Sequence, residues 1–274
     1  MSSHFSDIGF PVSDIEAFKD LVQKASHTGR CMRSPNGYYV CWSPGAGAEL
    51  WAQANAEHEL VGLHPHFAGA ARMRMGLTDI ITDPENPLDG SIRGWADPRP
   101  ENPQSGAYPL MLDLPDFDLV RSRLRCPAVL TVQVAAFAHS VRCFADDASL
   151  YAWQDPKGGM AAESFIPIGL LPKEFLSGDS PSQQSDESPG ANAFLSGHVR
   201  SHHLCANPET GNSFHHVHLR TLGGEVDVVG DPAVVSGEPV VGGVIQGTFW
   251  LSGRVQQKTG RVFAALGRLF GRRP

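Results

Sequence analysis

Five of the twelve histidines, His202, His203, His215, His216 and His218, gather on either side of one turn-forming stretch, Ala206-Asn207-Pro208-Glu209-Thr210-Gly211-Asn212. Pro and Gly punctuate that stretch, so residues 194–205 and 213–221 read as the two strands of a hairpin. Period-two alternation places Phe214, His216, His218 and Arg220 on one face, read as the solvent face, and His215, Val217 and Leu219 on the other. If the turn pairs Cys205 with Phe214, His203 lies opposite His216; a slip of one residue brings His202 there instead. Directly opposed Cβ atoms stand ~4.5–5.5 Å apart, so in either register two imidazoles can share a zinc, copper or nickel ion. His202, His203, His216 and His218 are therefore candidate ligands, and clustered imidazoles also titrate near neutrality and repel when protonated. A closed structural site needs four ligands. Cys205 is the only thiol or carboxylate beside the cluster, so a polar strand face that tolerates histidine is the preferred reading.

Other constellations offer less. No Gly-x-Ser-x-Gly elbow, P-loop or Gly-x-Gly-x-x-Gly fingerprint is present, which removes the usual signal of three large enzyme classes. The acidic pairs Asp146-Asp147 and Glu57/Glu59 read as surface solvation, because spacing alone does not make two carboxylates face each other. Cys41, beside Trp42 in an apolar strand, reads as core. The five cysteines are scattered and lack Cys-x-x-Cys spacing, as expected of reduced structural thiols in a cytoplasmic protein. The polar first six residues resemble no secretory signal, and no apolar run reaches the ~18–20 residues that span a bilayer.

At the other end, Lys258, Arg261, Arg268, Arg272 and Arg273 flank Val262, Phe263, Leu266, Leu269 and Phe270 at three- and four-residue intervals. This is a short basic amphipathic helix, suited to a partner's groove, to peripheral contact with an anionic membrane or to the protein's own barrel. Phe263, Leu266, Arg268 and Phe270 are its candidate contact residues. The chain as a whole has 22 Lys+Arg against 29 Asp+Glu, a formal charge of −7, which argues against general nucleic-acid binding.

The elements that must position these groups are mostly short strands. Gly and Pro together make 50 of the 274 residues, the punctuation of many turns. Residues 5–12 read as a strand. Ser13-Asp14-Ile15-Glu16 then starts a helix, with apolar Ile15, Phe18, Leu21 and Val22 on one face and Gly29 as its stop. Residues 37–42, 48–53 and 59–67 read as three more strands, giving a β-α-β-β-β unit. Further strands are expected at 74–81, 90–95 and 108–114, a short helix or linker at 116–125, and strands at 129–137, 141–144 and 164–171. Residues 177–191 are too polar to pack. After the histidine hairpin come strands at 225–229 and a last pair over 241–255.

The opening Asp7-Ile8-Gly9-Phe10-Pro11-Val12-Ser13-Asp14-Ile15-Glu16-Ala17 resembles the start of the glyoxalase/bleomycin-resistance/dioxygenase (vicinal oxygen chelate) superfamily, as does the β-α-β-β-β order. Leu63-His64-Pro65-His66-Phe67 looks like the strand that opens that family's second module. The resemblance covers at most residues 4–117 and implies a divalent-metal site, with His64, His66 and Asp7 as candidate ligands. Asp7 stands where the family has a histidine, which favours a metal-free descendant of the fold. The segment 194–255 resembles an oligonucleotide/oligosaccharide-binding (OB) barrel, with Gly197, Gly243, Gly247 and Gly253 where strands must bend. Its residues 192–254 carry three arginines against five carboxylates, too acidic a balance for a phosphate groove.

These readings predict an α+β, mostly antiparallel β protein. A glyoxalase-like module (1–117) is followed by an OB-like barrel (118–257) and a C-terminal helix (258–274). The expected role is a non-enzymatic, cytoplasmic binding protein for a protein or small ligand, with Trp42, Trp51 and Trp95 lining an inter-module cleft and no cofactor. A zinc-, nickel- or manganese-dependent enzyme of the vicinal oxygen chelate type is the first alternative, and single-stranded nucleic-acid binding through the barrel the second.

Overall fold

The computed structural model describes residues 4–155, 159–171 and 190–256. The expected polar loop (177–191) falls almost wholly outside these, as does the amphipathic segment with Phe263, Leu266, Arg268 and Phe270. Among the described residues no helix is long and apolar enough to cross a membrane.

The protein is mostly antiparallel β, arranged as two sheets. Helix α1 (Ile15–Thr28) begins where Asp14 caps it, its side chain accepting from the Ala17 N–H at 2.9 Å. It leads into a four-stranded meander of β1 (Arg30–Ser34), β2 (Gly37–Gly45), β3 (Ala48–Ala54) and β4 (Leu60–Phe67). Gly29 is required at the junction: a Cβ there would lie 2.6 Å from the Val40 side chain and 2.7 Å from the Ala25 carbonyl.

The second sheet contains β5 (Met73–Thr82), β6 (Gly90–Ala96), β7 (Pro109–Asp113), β8 (Ala128–Phe144), β9 (Ser164–Ile166), β10 (Asn192–Ala206), β11 (Ser213–Thr221), β12 (Gly224–Gly230), β13 (Val235–Ser236) and β14 (Val244–Val255). Two short helices, α2 (Phe117–Val120) and α3 (Asp147–Trp153), complete the described elements. Strands β8 and β14 are the spine, paired antiparallel from Val244↔Phe144 to Val255↔Val132. Two rings close on this pair. One runs β8–β14–β10–β11–β12 and returns to β8 through a parallel contact at Asp227↔Ala135. The other runs β8–β5–β6–β7 and returns to β14 at Ser252↔Asp113. Strands β5 to β7 thus precede the boundary expected at residue 117, yet pair with strands beyond it.

Several local expectations need correction. Residues 5–12 form no strand; Ser6–Ile8 is a 3-10 turn closed by Gly9 at φ 81°. Ile8 and Phe10 are buried there, and their carbonyl neighbourhood is held by side chains: Asn207 Nδ2 donates to the Ile8 carbonyl (2.8 Å) and Thr210 Oγ1 to that of Gly9 (2.6 Å). The segment is a plug, because Gly9 and Pro11 deny it a continuous strand ladder. The pairs expected at 129–137/141–144 and across 241–255 are single strands, β8 and β14. Edge strand β1 and helix α3 are additions to the sequence reading; α3 starts with a capping box in which Asp146 and Ser149 bond each other's backbone.

The two sheets meet through apolar residues. Trp42, Leu50 and Phe67 of the meander cluster with Ala135 and Phe137 of β8, Phe214 of β11, Val229 of β12 and the plug residues Ile8 and Phe10. Truncating Phe137, which is fully buried in this cluster, removes contacts to both sheets. Phe137→Ala is expected to lower unfolding free energy by about 3–5 kcal/mol, measured by urea denaturation, with the transition still single and coincident by fluorescence and circular dichroism. A loss below about 1 kcal/mol contradicts this packing.

Candidate ligand-binding cleft

The candidate residues from the sequence disperse into different environments. His66 is completely buried between the sheets. Its Nδ1 lies 2.8 Å from Ser252 Oγ and its Nε2 2.8 Å from Gln133 Oε1. Gln133 Nε2 donates onward to Asp227 Oδ2 (3.1 Å), which also accepts from the Ala71 N–H (2.9 Å). Asp227 Oδ1 meets His216 Nε2 at 3.1 Å. A self-consistent assignment runs Ser252 O–H to His66 Nδ1, His66 Nε2–H to Gln133, and Gln133 to the carboxylate. Gly69 makes room for that carboxylate, since a Cβ there would sit 2.0 Å from Asp227 Oδ2. Burial pushes the His66 imidazole down to about 3, so it is neutral at pH 7. Burial also opposes the Asp227 charge, but hydrogen bonds from His216, Ala71 and Gln133 outweigh it and hold the carboxyl below its ordinary value.

His64 faces Asp89 instead, 3.4 Å away. Asp7 is buried and accepts from the Asp231 N–H at 3.0 Å, fixing the turn at Pro232–Val234. His64, His66 and Asp7 are not brought together. The hairpin register is the one with Cys205 opposite Phe214 and His203 opposite His216. Its histidines nevertheless divide: His202 Nε2 contacts His215 Nδ1 at 2.9 Å, His216 turns to Asp227, and His218 Nε2 meets Glu225 at 3.1 Å. The face expected to meet solvent is covered at one end, with Phe214 fully buried edge-on to Phe67 and His216 tilted on the same ring at 4.4 Å, while Arg220 at its other end is exposed. The meander supplies that cover. Among the described residues no three His, Cys, Asp or Glu side chains stand as a metal's ligand set. Trp42 and Trp51 are buried in separate clusters, and Trp95 is half-buried on β6. They do not form the walls of an open cleft.

An open cleft lies elsewhere, over the far end of the β8–β14 spine. Its volume is about 710 Å³, within the range of small-molecule sites. Strand register builds its floor. Arg142 pairs with Gln246 on one side and Ser236 on the other, and Ser140 pairs with Thr248, which pairs with Phe194. Directly paired residues share a face of the sheet, so Ser236, Arg142, Gln246, Ser140, Thr248 and Phe194 form one surface. His139 is the extra residue of a bulge, where Thr248 opposes Ser140 and Phe249 opposes Ala138. The bulge re-aims its ring, which reaches His4 at 2.9 Å; His4 in turn stacks on Trp250 at 4.6 Å. Burial and then the neighbouring His139 push His4 down to about 4, and burial lowers His139 as well.

The wall comes from α3. Trp153, 55 % exposed, lies with the Arg142 guanidinium 5.0 Å from its ring and Phe144 behind it at 5.4 Å. The α3 segment is tied to β10 by His198, whose Nε2 contacts Asp147 and Nδ1 Glu163, both at 2.8 Å. Partial burial disfavours the His198 charge, but the bonds to Glu163 and Asp147 outweigh it and raise its pKa. Among the described residues Arg142 has no carboxylate partner, and Gln246, 7 % exposed, has an Nε2 that is buried without a hydrogen-bond partner. Among the described residues the cleft lining contains no carboxylate.

Comparison with known proteins finds no matching family model, no matching curated protein and no matching solved structure.

The sequence pointed to histidines, whereas the residues that line the cleft are ordinary types joined by strand register across more than a hundred positions. The buried histidine has its own consequence. Its folded pKa is depressed, so its contribution is fully present above the unfolded value of 6.5 and is lost as pH falls toward about 3. Unfolding free energy should therefore drop with acidification by up to about 1.4 kcal/mol per pH unit from this group. In His66→Gln that slope between pH 6 and 4.5 should be correspondingly flatter by urea denaturation; equal slopes in the two proteins contradict a neutral buried imidazole.

Proposed function

We propose that the chain is a non-enzymatic binding protein that holds a small ligand in the cleft between β14, β13 and α3. The observation that carries this is the cleft's floor, where Arg142 has no carboxylate partner among the described residues and the paired Gln246 keeps a buried amide nitrogen without a hydrogen bond. A buried donor left unmade costs about 1–3 kcal/mol, and an orphan in the floor beneath an open cleft is most simply completed when a ligand draws its amide outward. The His66 chain supports a structural role for the histidines, because both ring nitrogens are already occupied.

The closed ring β8–β14–β10–β11–β12 supports an OB-like reading of the C-terminal half. A glyoxalase-like reading of the N-terminal part rests on α1 and β2 to β4 alone, since the expected first strand is a 3-10 turn. Five free cysteines support a reducing, cytoplasmic compartment.

A plug tests the site. Thr248→Trp places an indole over the cleft floor at a partly exposed position. In a thermal-shift panel of small organic anions, cations and neutral compounds, stabilisers of the wild type should lose their effect on Thr248→Trp. A ligand at a hundred times its Kd stabilises by about 2.7 kcal/mol, well above the detection limit. Stabilisers that act equally on both proteins place the ligand site elsewhere.

A further inference from the structure

The ligand class follows from what the cleft offers. Among its described lining residues the one permanent charge is Arg142, in a chain whose net charge is −7. Guanidinium stacked on an aromatic ring keeps its edge N–H groups free, and that edge matches a planar oxyanion bidentately. Here the ring is Trp153, 5.0 Å from the guanidinium carbon. Directly across the strand pair, Gln246 supplies the buried unpartnered amide donor. Hydroxyls from Ser140, Ser236 and Thr248 extend the donor surface.

Apart from His139, the other described lining residues are apolar or glycine. Phe194, Val234 and Val235 contribute side chains, so a ligand that filled about 710 Å³ would bury a hydrophobic body beside its polar head. We propose that the cleft binds a monoanionic amphiphilic carboxylate, its head between Arg142 and Gln246 and its planar or aliphatic body against Trp153, Phe194 and Val235. One cation matches one negative charge; a phosphate monoester would bring a second charge with no second cation to meet it among the described lining residues, since burial lowers the neighbouring His139. This inference rests on the cleft being the ligand site.

The test uses the full chain, uniformly ¹⁵N-labelled, at pH 7.5 and moderate salt. The probes are 1-naphthoate, its neutral isostere 1-naphthamide and 1-naphthyl phosphate. Titrations are followed by nuclear magnetic resonance at the Trp153 indole N–H and the Gln246 side-chain amide. The expected result is saturable binding of 1-naphthoate, with 1-naphthamide at least about tenfold weaker, the scale of one charge-assisted hydrogen bond. Arg142→Gln, at an exposed position and with wild-type circular dichroism as a check of fold, should erase that preference. Trp153→Ala should weaken acid and amide alike.

Equal affinity for naphthoate and naphthamide in the wild type, or tighter binding of the phosphate, overturns the carboxylate assignment while the cleft remains the ligand site. Absence of any shift at Trp153 and Gln246 with all three probes overturns the carboxylate assignment, and overturns the cleft as well when the thermal-shift stabilisers act equally on the wild type and Thr248→Trp.

Discussion

The carboxylate of Asp227, with no exposed surface, is the constraint around which the two sheets are arranged. An ionised carboxyl in an apolar interior is stable only with its oxygens fully bonded. Asp227 gathers four partners from three places: His216 on β11 with His218 of the same strand on its flank at 3.8 Å, Gln133 on β8, and the Ala71 amide in the loop after β4. Gln133 passes the demand on to His66, and His66 to Ser252 on β14. The meander therefore docks on the barrel in one register, since a slide of one residue would strand several buried polar groups at once. Apolar area around Phe137 and Phe67 provides the attraction between the sheets; the polar chain selects the geometry.

That division explains what the sequence made legible. Helix α1 was readable from Asp14, the apolar spacing and Gly29, because capping and amphipathicity are local. Strands β2 to β4 and the hairpin β10–β11 were readable from alternation and turn residues for the same reason, whereas the choice between the hairpin's two candidate registers came from the structure. The plug at residues 5–12 misled because its apolar residues alternate as a strand's do, while the partners that hold it, Asn207 and Thr210, lie about two hundred residues away. The Phe214 end of β11 misled in the same manner: nothing local says that Phe67 will cover Phe214.

The cleft was illegible for a deeper reason. Arg142, Gln246, Ser236 and Trp153 carry no spacing signal, and their assembly depends on β8 being flanked by β14 on one side and β13 on the other. Histidines attract attention in a sequence because their chemistry is distinctive, yet here most of them satisfy one another or a buried carboxylate. The donors we propose to bear function are those the fold leaves without partners. Rigidity of the frame matters to them, because the spine that the polar chain fixes at Gln133 and Ser252 is the same strand pair whose far end carries Arg142 and Gln246.

The most direct test of this account is a map of where small molecules settle on the protein. A fragment library containing acids, bases and neutral compounds, screened by chemical-shift perturbation on the assigned ¹⁵N-labelled chain, should give hits that converge on residues 139–142, Trp153, 234–236 and 246–248. Hits that converge instead on the histidine hairpin or on the meander, with these positions unmoved, would contradict the assignment of the cleft as the functional site.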